Sequence, residues 1–239
     1  MYKGTCGRLA VSLGATFAAV FLLPALAVAD VAAPLVRVKS RAFQELYLAQ
    51  GAALSTYRRV LIEPAYVAFN PRWQSDINGS THDLSRHVTD EQAARILDQT
   101  RATATKQFAD AFAAAGFEVV SVPGPGVLLL APRIVDLYVT SPQLRMPGLS
   151  RSYSRDAGQA RLELEVRDAA TGAVLGRAVD RETAGVMDVP LQRVNEYGDA
   201  AKFENIYRRW AEDSVSSLVR LSPVAPPIHD AASAGRPAG

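Results

Sequence analysis

Two histidines in one polar stretch are the first residues that could do chemistry. His82 and His87 lie in the stretch Asn70–Val88, close to Asp83 and Asp90. Imidazole and carboxylate groups together suit zinc or copper. Their separation matches no usual ligand spacing. The sequence therefore favours a solvated polar loop and leaves a metal or small-ligand site at His82 and His87 as the alternative.

A stretch rich in serine and arginine could support nucleophilic catalysis. A serine hydrolase needs a serine, a base and an orienting acid held together. The residues available are Ser150, Ser152 and Ser154, flanked by Arg151 and Arg155. His82 and Asp83 could complete the set, but no pattern in the sequence fixes that geometry. The segment Arg145–Arg155 could also bind an anionic partner, although we expect its arginines to be solvated or to pair with nearby acids.

Two carboxylates lie on one face of a predicted strand. Glu163 and Glu165 are two residues apart, and a carboxylate pair is the usual machinery of glycoside hydrolysis. They share that face with Arg161 and Arg167, which favours ion pairs with neighbouring strands. The chain carries none of the common hydrolase, phosphate-binding, dinucleotide-binding or zinc-protease motifs. We therefore assign no catalytic residue and no cofactor, and expect a protein that is not an enzyme.

The N-terminus has the pattern of a secretory signal peptide. Lys3 and Arg8 precede an apolar or small run from Leu9 to Leu26, and Ala27–Ala29 supplies an A-x-A site. This order predicts cleavage after Ala29. The alternative is an uncleaved membrane anchor, because the run is nearly long enough to span a bilayer.

Cleavage changes the composition of the remaining chain. Removal of the signal peptide takes away two of the 26 basic residues and none of the 24 acidic ones, so the mature chain has equal numbers of each. It therefore lacks the excess of basic residues that is typical of nucleic-acid-binding proteins. The one cysteine, Cys6, precedes the apolar run, whereas a lipid-attachment cysteine would follow it. The mature chain then has no disulfide. We expect a soluble periplasmic protein that is not a lipoprotein.

The remaining sequence predicts an α/β fold with a single mixed sheet. Predicted strands are Tyr57–Phe69, Phe117–Val122, Val127–Thr140, Ala160–Arg167 and Val174–Thr183, and predicted helices follow Thr89 and Asp199. The first helix joins two strands in a βαβ crossover, which makes those strands parallel. An antiparallel meander follows, and both amphipathic helices pack on the sheet. Whether they share one face of the sheet is left open.

Local signals refine this architecture. Thr89 and Gln92 predict a capping box, and Gly116 predicts the helix end. Pro64 and Pro132 predict interruptions or bulges. Trp73, in the predicted loop Asn70–Val88, is expected to form a lid over the edge of the core, and an exposed contact is the alternative.

Four parts of the chain follow from these patterns. Residues 1–29 are the signal peptide, and residues 30–56 form a lead segment that we expect to lie across the domain surface. Residues 57–221 form the single α/β domain. Residues 222–239 are rich in Pro, Ala and Gly, which predicts a disordered tail. His229 lies in that tail and is no catalytic candidate.

The order of several short motifs resembles a known family. The motifs are Leu46-Tyr47-Leu48, Tyr57 with Val60–Pro64, Gly116–Val120, Gly124–Leu128, Ala160–Asp168 and Trp210-Ala211. Together they resemble a family of bacterial envelope proteins, domain of unknown function 3313, over about Phe43 to Leu218. Many members are lipoproteins, and this chain departs from them in lacking a cysteine after the apolar run. The family has no assigned catalytic residues, so none can be transferred.

The leading hypothesis is an exported, non-catalytic envelope protein that binds another envelope protein or an envelope component. The alternatives are a hydrolase with a loop-built site and a metal or small-ligand carrier that uses His82 and His87.

Overall fold

Ten strands and three α-helices occur in the part of the chain that the structure describes. This computed structural model describes residues 33–80, 82–84, 87–140, 153–154, 156–185, 192–193 and 196–221. The strands are β1 (Leu35–Val38), β2 (Glu45–Ala49), β3 (Arg59–Ile62), β4 (Tyr66–Phe69), β5 (Glu118–Val120), β6 (Val127–Val139), β7 (Tyr153–Ser154), β8 (Asp156–Asp168), β9 (Val174–Gly185) and β10 (Gln192–Arg193). The helices are α1 (Trp73–Gly79), α2 (Asp90–Ala114) and α3 (Glu196–Leu221), and Leu54–Thr56 forms a 3₁₀ turn.

Eight strands form one mixed sheet, as predicted. Their order is β1-β2-β9-β8-β6-β3-β5, and β4 pairs with β6 beyond the end of β3. The β3–α2–β5 unit is the predicted crossover with parallel strands, and β6, β8 and β9 are successive antiparallel neighbours. β5 and β6 do not pair with each other, because both flank β3 in parallel. β7 and β10 form a separate two-stranded sheet.

The lead segment adds to the sheet instead of lying across its surface. β2 pairs with β9, and β1 pairs with the outer edge of β2. Phe43 and Leu46 are buried in the main core. The segment thus makes backbone hydrogen bonds to the sheet and buries apolar side chains at the same time.

Two prolines lie where one sheet edge is interrupted. β3 ends before Pro64 and β4 begins after it, which confirms the predicted break. Pro132 lies opposite this gap, so its missing N–H removes no ladder hydrogen bond. The predicted bulge at Pro132 is therefore wrong. The pairing of β6 with β8 shifts between Val135 and Tyr138 instead, where Asp136 has a φ of 51°.

The two long helices pack on the same face of the sheet. The predicted capping box is present, with the Thr89 side chain accepting from the Gln92 backbone and the Gln92 side chain accepting from the Thr89 backbone. Side chains from α2, α3 and the sheet, such as Phe108, Trp210 and Leu162, belong to one buried cluster. Of the helices described, none is long and apolar enough to cross a membrane.

A short helix replaces part of the predicted loop Asn70–Val88. The side chain of Asn70 accepts from the backbone N–H of Arg72, and α1 begins at Trp73. Trp73 stacks on Phe69 with ring centroids 3.7 Å apart and donates its indole N–H to the Val139 carbonyl over 2.9 Å. The tryptophan is therefore buried over the core edge, as predicted, and its burial explains why a helix forms there.

Candidate ligand-binding face

The alternating sequence of β8 divides the sheet into two unlike faces. Leu162 and Leu164 point into the core beneath the helices. Alternate positions point the other way. We call that other surface, opposite α2 and α3, the open face. Its principal side chains are Glu45, Tyr47, Glu63, Tyr66, Arg133, Arg161, Glu163, Glu165, Arg167 and Arg177.

The first charged group on the open face joins β6 and β8. Arg133 lies directly across from Glu163, and their Nε and Oε2 atoms are 3.7 Å apart. Arg161, on the same strand as Glu163, brings its Nη2 to 3.1 Å from Oε1. The Arg133 guanidinium also lies over the Tyr66 ring, 4.4 Å from its centroid. Glu163 therefore sits between two arginines, one of which is braced by an aromatic ring.

The second charged group joins β8 and β9. Glu165 lies directly across from Arg177, whose Nη2 donates to Oε2 over 2.5 Å. Arg167 donates from Nε to Oε1 over 2.6 Å. Burial alone raises the pKa of Glu165, but hydrogen bonds from Arg177 and Arg167 outweigh it and hold the pKa below its ordinary value. The carboxylate thus stays ionised at neutral pH.

These two groups, Arg133–Glu163–Arg161 and Arg167–Glu165–Arg177, are called the triads below. They confirm the sequence prediction that Glu163 and Glu165 make cross-strand ion pairs. Each triad holds two cations and one anion, so it carries a net charge of about +1.

An open cleft of about 920 Å³ runs over the triads. Glu45 on β2 and Glu63 after β3 lie at its two margins. Tyr47 donates to Glu45 over 3.0 Å, and this hydrogen bond raises the pKa of the tyrosine. The arginine side chains in the triads are 36–49% exposed. The cleft is therefore polar and preorganised, and its guanidinium groups remain accessible to solvent.

The residue types on this face are suited to binding groups that accept hydrogen bonds. A guanidinium carries five N–H donors, and each carboxylate partner uses only one or two of them. The remaining donors can bind carboxylates or carbonyl oxygens of a ligand. A general acid needs a carboxyl whose pKa is raised towards the working pH. Glu165 has the opposite shift, so it suits holding arginines in place and not proton transfer.

The histidine candidates lie away from the triads in the sequence and on another part of the fold. His82 is exposed, and His87 is half-buried beside the start of α2. Within the described ranges, no group of three or more His, Cys, Asp or Glu side chains could hold a metal ion. The Ser150 and Ser152 candidates, Arg151, Arg155, the predicted cleavage site at Ala29 and His229 lie outside the described residues, and the side chain of Ser154 does too.

A buried carboxylate is one feature that the sequence reasoning missed. Asp180 on β9 accepts the indole N–H of Trp210 over 2.8 Å and the backbone N–H of Gln44 over 3.3 Å. Nearby, Arg209 pairs with Glu182 at 3.0 Å, and burial raises the pKa of both Glu182 and Asp213. The sequence signal that could have revealed this site is Asp180 itself, an acidic residue at an inward-facing position of β9. This cluster ties α3 and the lead segment to β9.

Comparisons with known proteins identify a family. The model of the family described as "Protein of unknown function (DUF3313)" matches residues 32–214. None of the curated proteins matches the chain. The structure is similar to the PelC dodecamer from Paraburkholderia phytofirmans, at 12% identity and a TM-score of 0.39, over 72% of this chain and 95% of that one. It is also similar to a DUF4136 family protein from Bacteroides thetaiotaomicron, at 12% identity and a TM-score of 0.27, over 79% and 96% of the two chains. The family match spans most of the sequence, and the chain therefore belongs to the DUF3313 family of proteins of unknown function.

Proposed function

We propose that this chain is an exported, non-catalytic module that binds another envelope protein or an envelope component through the open face of its sheet. The observation that supports this most strongly is the asymmetry of the sheet. One face is buried beneath α2 and α3. The opposite face carries half-exposed arginines that line an open cleft of about 920 Å³.

The residue types on the open face suit binding to a macromolecule. Arginine and tyrosine are enriched in the parts of interfaces that contribute most affinity. Arg133 is held by Glu163 and Tyr66, and Arg177 is held by Glu165. Side chains that are already ordered lose less conformational entropy on binding.

The shape of the cleft also favours a large partner. Small-molecule pockets are mostly enclosed and apolar, with few polar groups. This cleft is open and lined by charged side chains from β6, β8 and β9. A partner that lies across several strands can contact all of them at once.

Site-specific photo-crosslinking tests the proposal with a matched pair of positions. A photo-crosslinking amino acid replaces Tyr66 on the open face, which is 51% exposed, or Val219 on α3, which is 49% exposed. In cells that express the full chain, we expect one reproducible adduct from the Tyr66 position and none from the Val219 position. The captured partner, once purified, should bind the unmodified protein and bind an Arg161→Gln/Arg177→Gln variant more weakly. Equal adducts from both positions, or none from either, would overturn the proposal.

Export is a separate part of this proposal and rests on the N-terminal pattern. N-terminal sequencing of the protein recovered from a periplasmic fraction should begin at Asp30. Recovery of a chain that still begins at Met1 in the membrane fraction would support the anchored alternative instead.

A further inference from the structure

The triads have more hydrogen-bond donors than acceptors. Both oxygens of Glu165 already accept from arginines, and both oxygens of Glu163 face arginines. Each of the four guanidinium groups keeps unused N–H donors. A ligand that supplies acceptors, and carboxylates in particular, would therefore complete the hydrogen bonding of the triads.

The spacing of the triads limits the kind of ligand. Glu163 and Glu165, the central residues of the two triads, are two positions apart on β8, which places their Cα atoms about 7 Å apart along the strand. In an extended peptide, alternate side chains leave the same face with that same repeat of about 7 Å. An extended segment with acidic residues at every second position could thus place one carboxylate over each triad.

The margins of the cleft limit the position of such a segment. Glu45 lies on the β2 side and Glu63 on the β3 and β4 side, with the triads between them. Like charges repel at short distance. An acidic segment is therefore directed to the middle of the open face, over β6, β8 and β9.

We propose that the open face binds an extended acidic peptide segment of a partner protein, with Asp or Glu at alternate positions and one carboxylate on each triad. This inference rests on the proposed function and names the chemistry of the partner. Tyr47 on β2 and Tyr66 on β4 lie at the two sides of the cleft and flank a segment that runs along β8.

Two synthetic peptides of equal composition test the spacing. One is acetylated (Glu-Thr)4 amide, which carries a carboxylate at every second position. The other is acetylated (Thr-Glu-Glu-Thr)2 amide, in which carboxylates on the same face are four residues apart. Titration of the mature protein at low salt should show at least about fivefold tighter binding of the alternating peptide, because two ion pairs form in place of one. Equal affinity for the two peptides would overturn the inference.

Charge-matched variants test the location. Arg161→Gln/Arg177→Gln removes one arginine from each triad and should abolish the preference for the alternating peptide. Arg101→Gln/Arg208→Gln removes the same charge from exposed positions on α2 and α3, and should leave the preference intact. Thermal melts of both variants confirm that each is folded. Equal weakening by the two variants would show non-specific charge attraction and contradict the inference.

A third ligand, polygalacturonate, tests whether the open face binds an acidic polysaccharide instead of an acidic peptide. Polygalacturonate that binds through the triads while neither peptide binds would overturn the peptide assignment. An adduct at Tyr66 together with equal affinity for both peptides would leave the proposed function standing and reject the acidic segment. No adduct at Tyr66 and no binding of any of these probes would reject both.

Discussion

The hydroxyl of Tyr57 donates a hydrogen bond to the carboxylate of Asp168 over 2.7 Å, although 111 positions separate the two residues. The other carboxylate oxygen of Asp168 accepts from the backbone N–H groups of Ala170 and Thr171 in the turn between β8 and β9. One side chain thus fixes that turn and ties it to the segment before β3. The hydrogen bond from Tyr57 contributes most to lowering the pKa of Asp168. Burial, with a smaller contribution from Asp168, raises the pKa of Tyr57 to about 12.

Replacing Tyr57 with Phe should lower the free energy of unfolding by about 1 kcal/mol at pH 7, because it removes one hydrogen bond to a charged acceptor. The pKa of Asp168 is lower in the folded state, so its stabilisation is present above the unfolded pKa and is lost as pH falls through the folded pKa. The deficit of Tyr57→Phe should therefore shrink between about pH 5 and pH 2. Urea unfolding across that range measures it.

The exposed Tyr66 supplies a control for that experiment. Tyr66→Phe removes a hydroxyl from an exposed ring and should leave the free energy of unfolding within about 0.5 kcal/mol at every pH. A Tyr57→Phe deficit that stays constant down to pH 2 would show that Asp168 is not the acceptor that matters.

The hydrogen bond between Trp210 and Asp180 should make the effects of substituting the two residues on the free energy of unfolding non-additive. Trp210→Phe and Asp180→Ala each break the bond, and the double variant removes both partners. Because the bond is buried and charge-assisted, we expect a coupling of about 1–3 kcal/mol in a double-mutant cycle. Urea unfolding of the four proteins provides the measurement. Additive effects would show that the indole contributes only by packing.

Features that depend on local periodicity were predictable from the sequence. The alternation of Arg161, Glu163, Glu165 and Arg167 with apolar residues correctly predicted a half-exposed strand with ion pairs. The capping box at Thr89 was also correct, because it depends on residues only three positions apart. The burial of Trp73 beside the apolar Phe69 was the favoured of two interpretations, and the structure confirms it.

Features that depend on distant pairing were not predictable in the same way. β2 pairs with β9 across more than 120 positions, and its five residues carry no sign of that partner. Because that pairing is not visible in the sequence, the lead segment was expected to lie across the domain surface. For the same reason, Glu45 and Tyr47 could not be assigned to the open face. The position of Asp180 under Trp210 was missed for the same reason, because the donor lies on a helix 30 positions later.

Gly158 should tolerate no side chain. Its φ is +134°, and a Cβ added there would lie 1.7 Å from the carbonyl oxygen of Tyr138. Because the obstacle is backbone, Gly158→Ala should cost more than about 3 kcal/mol or prevent folding. The control is Gly172→Ala, at φ +76° with no atom within 4 Å, which should cost only about 1–2 kcal/mol. Thermal melts and soluble yield compare the two, and equal losses would refute the predicted collision.

Glu165 should matter more for stability than Glu163. The Glu165 side chain is 15% exposed and holds two arginines closely, whereas Glu163 is 32% exposed with a longer contact to Arg133. Glu165→Gln should therefore cost about 1–3 kcal/mol at neutral pH, and Glu163→Gln less than about 1 kcal/mol. The lowered pKa of Glu165 means that this difference is lost as pH falls through its folded pKa.

The same pair of substitutions separates folding from binding. Either change raises the charge of its triad from about +1 to about +2, so both should strengthen binding of the alternating acidic peptide even though they lower stability by different amounts. Calorimetric titration and urea unfolding on the same preparations measure the two quantities. If Glu163→Gln weakens peptide binding while leaving stability unchanged, the carboxylate is needed to orient Arg133 and Arg161, and geometry outweighs net charge on the open face.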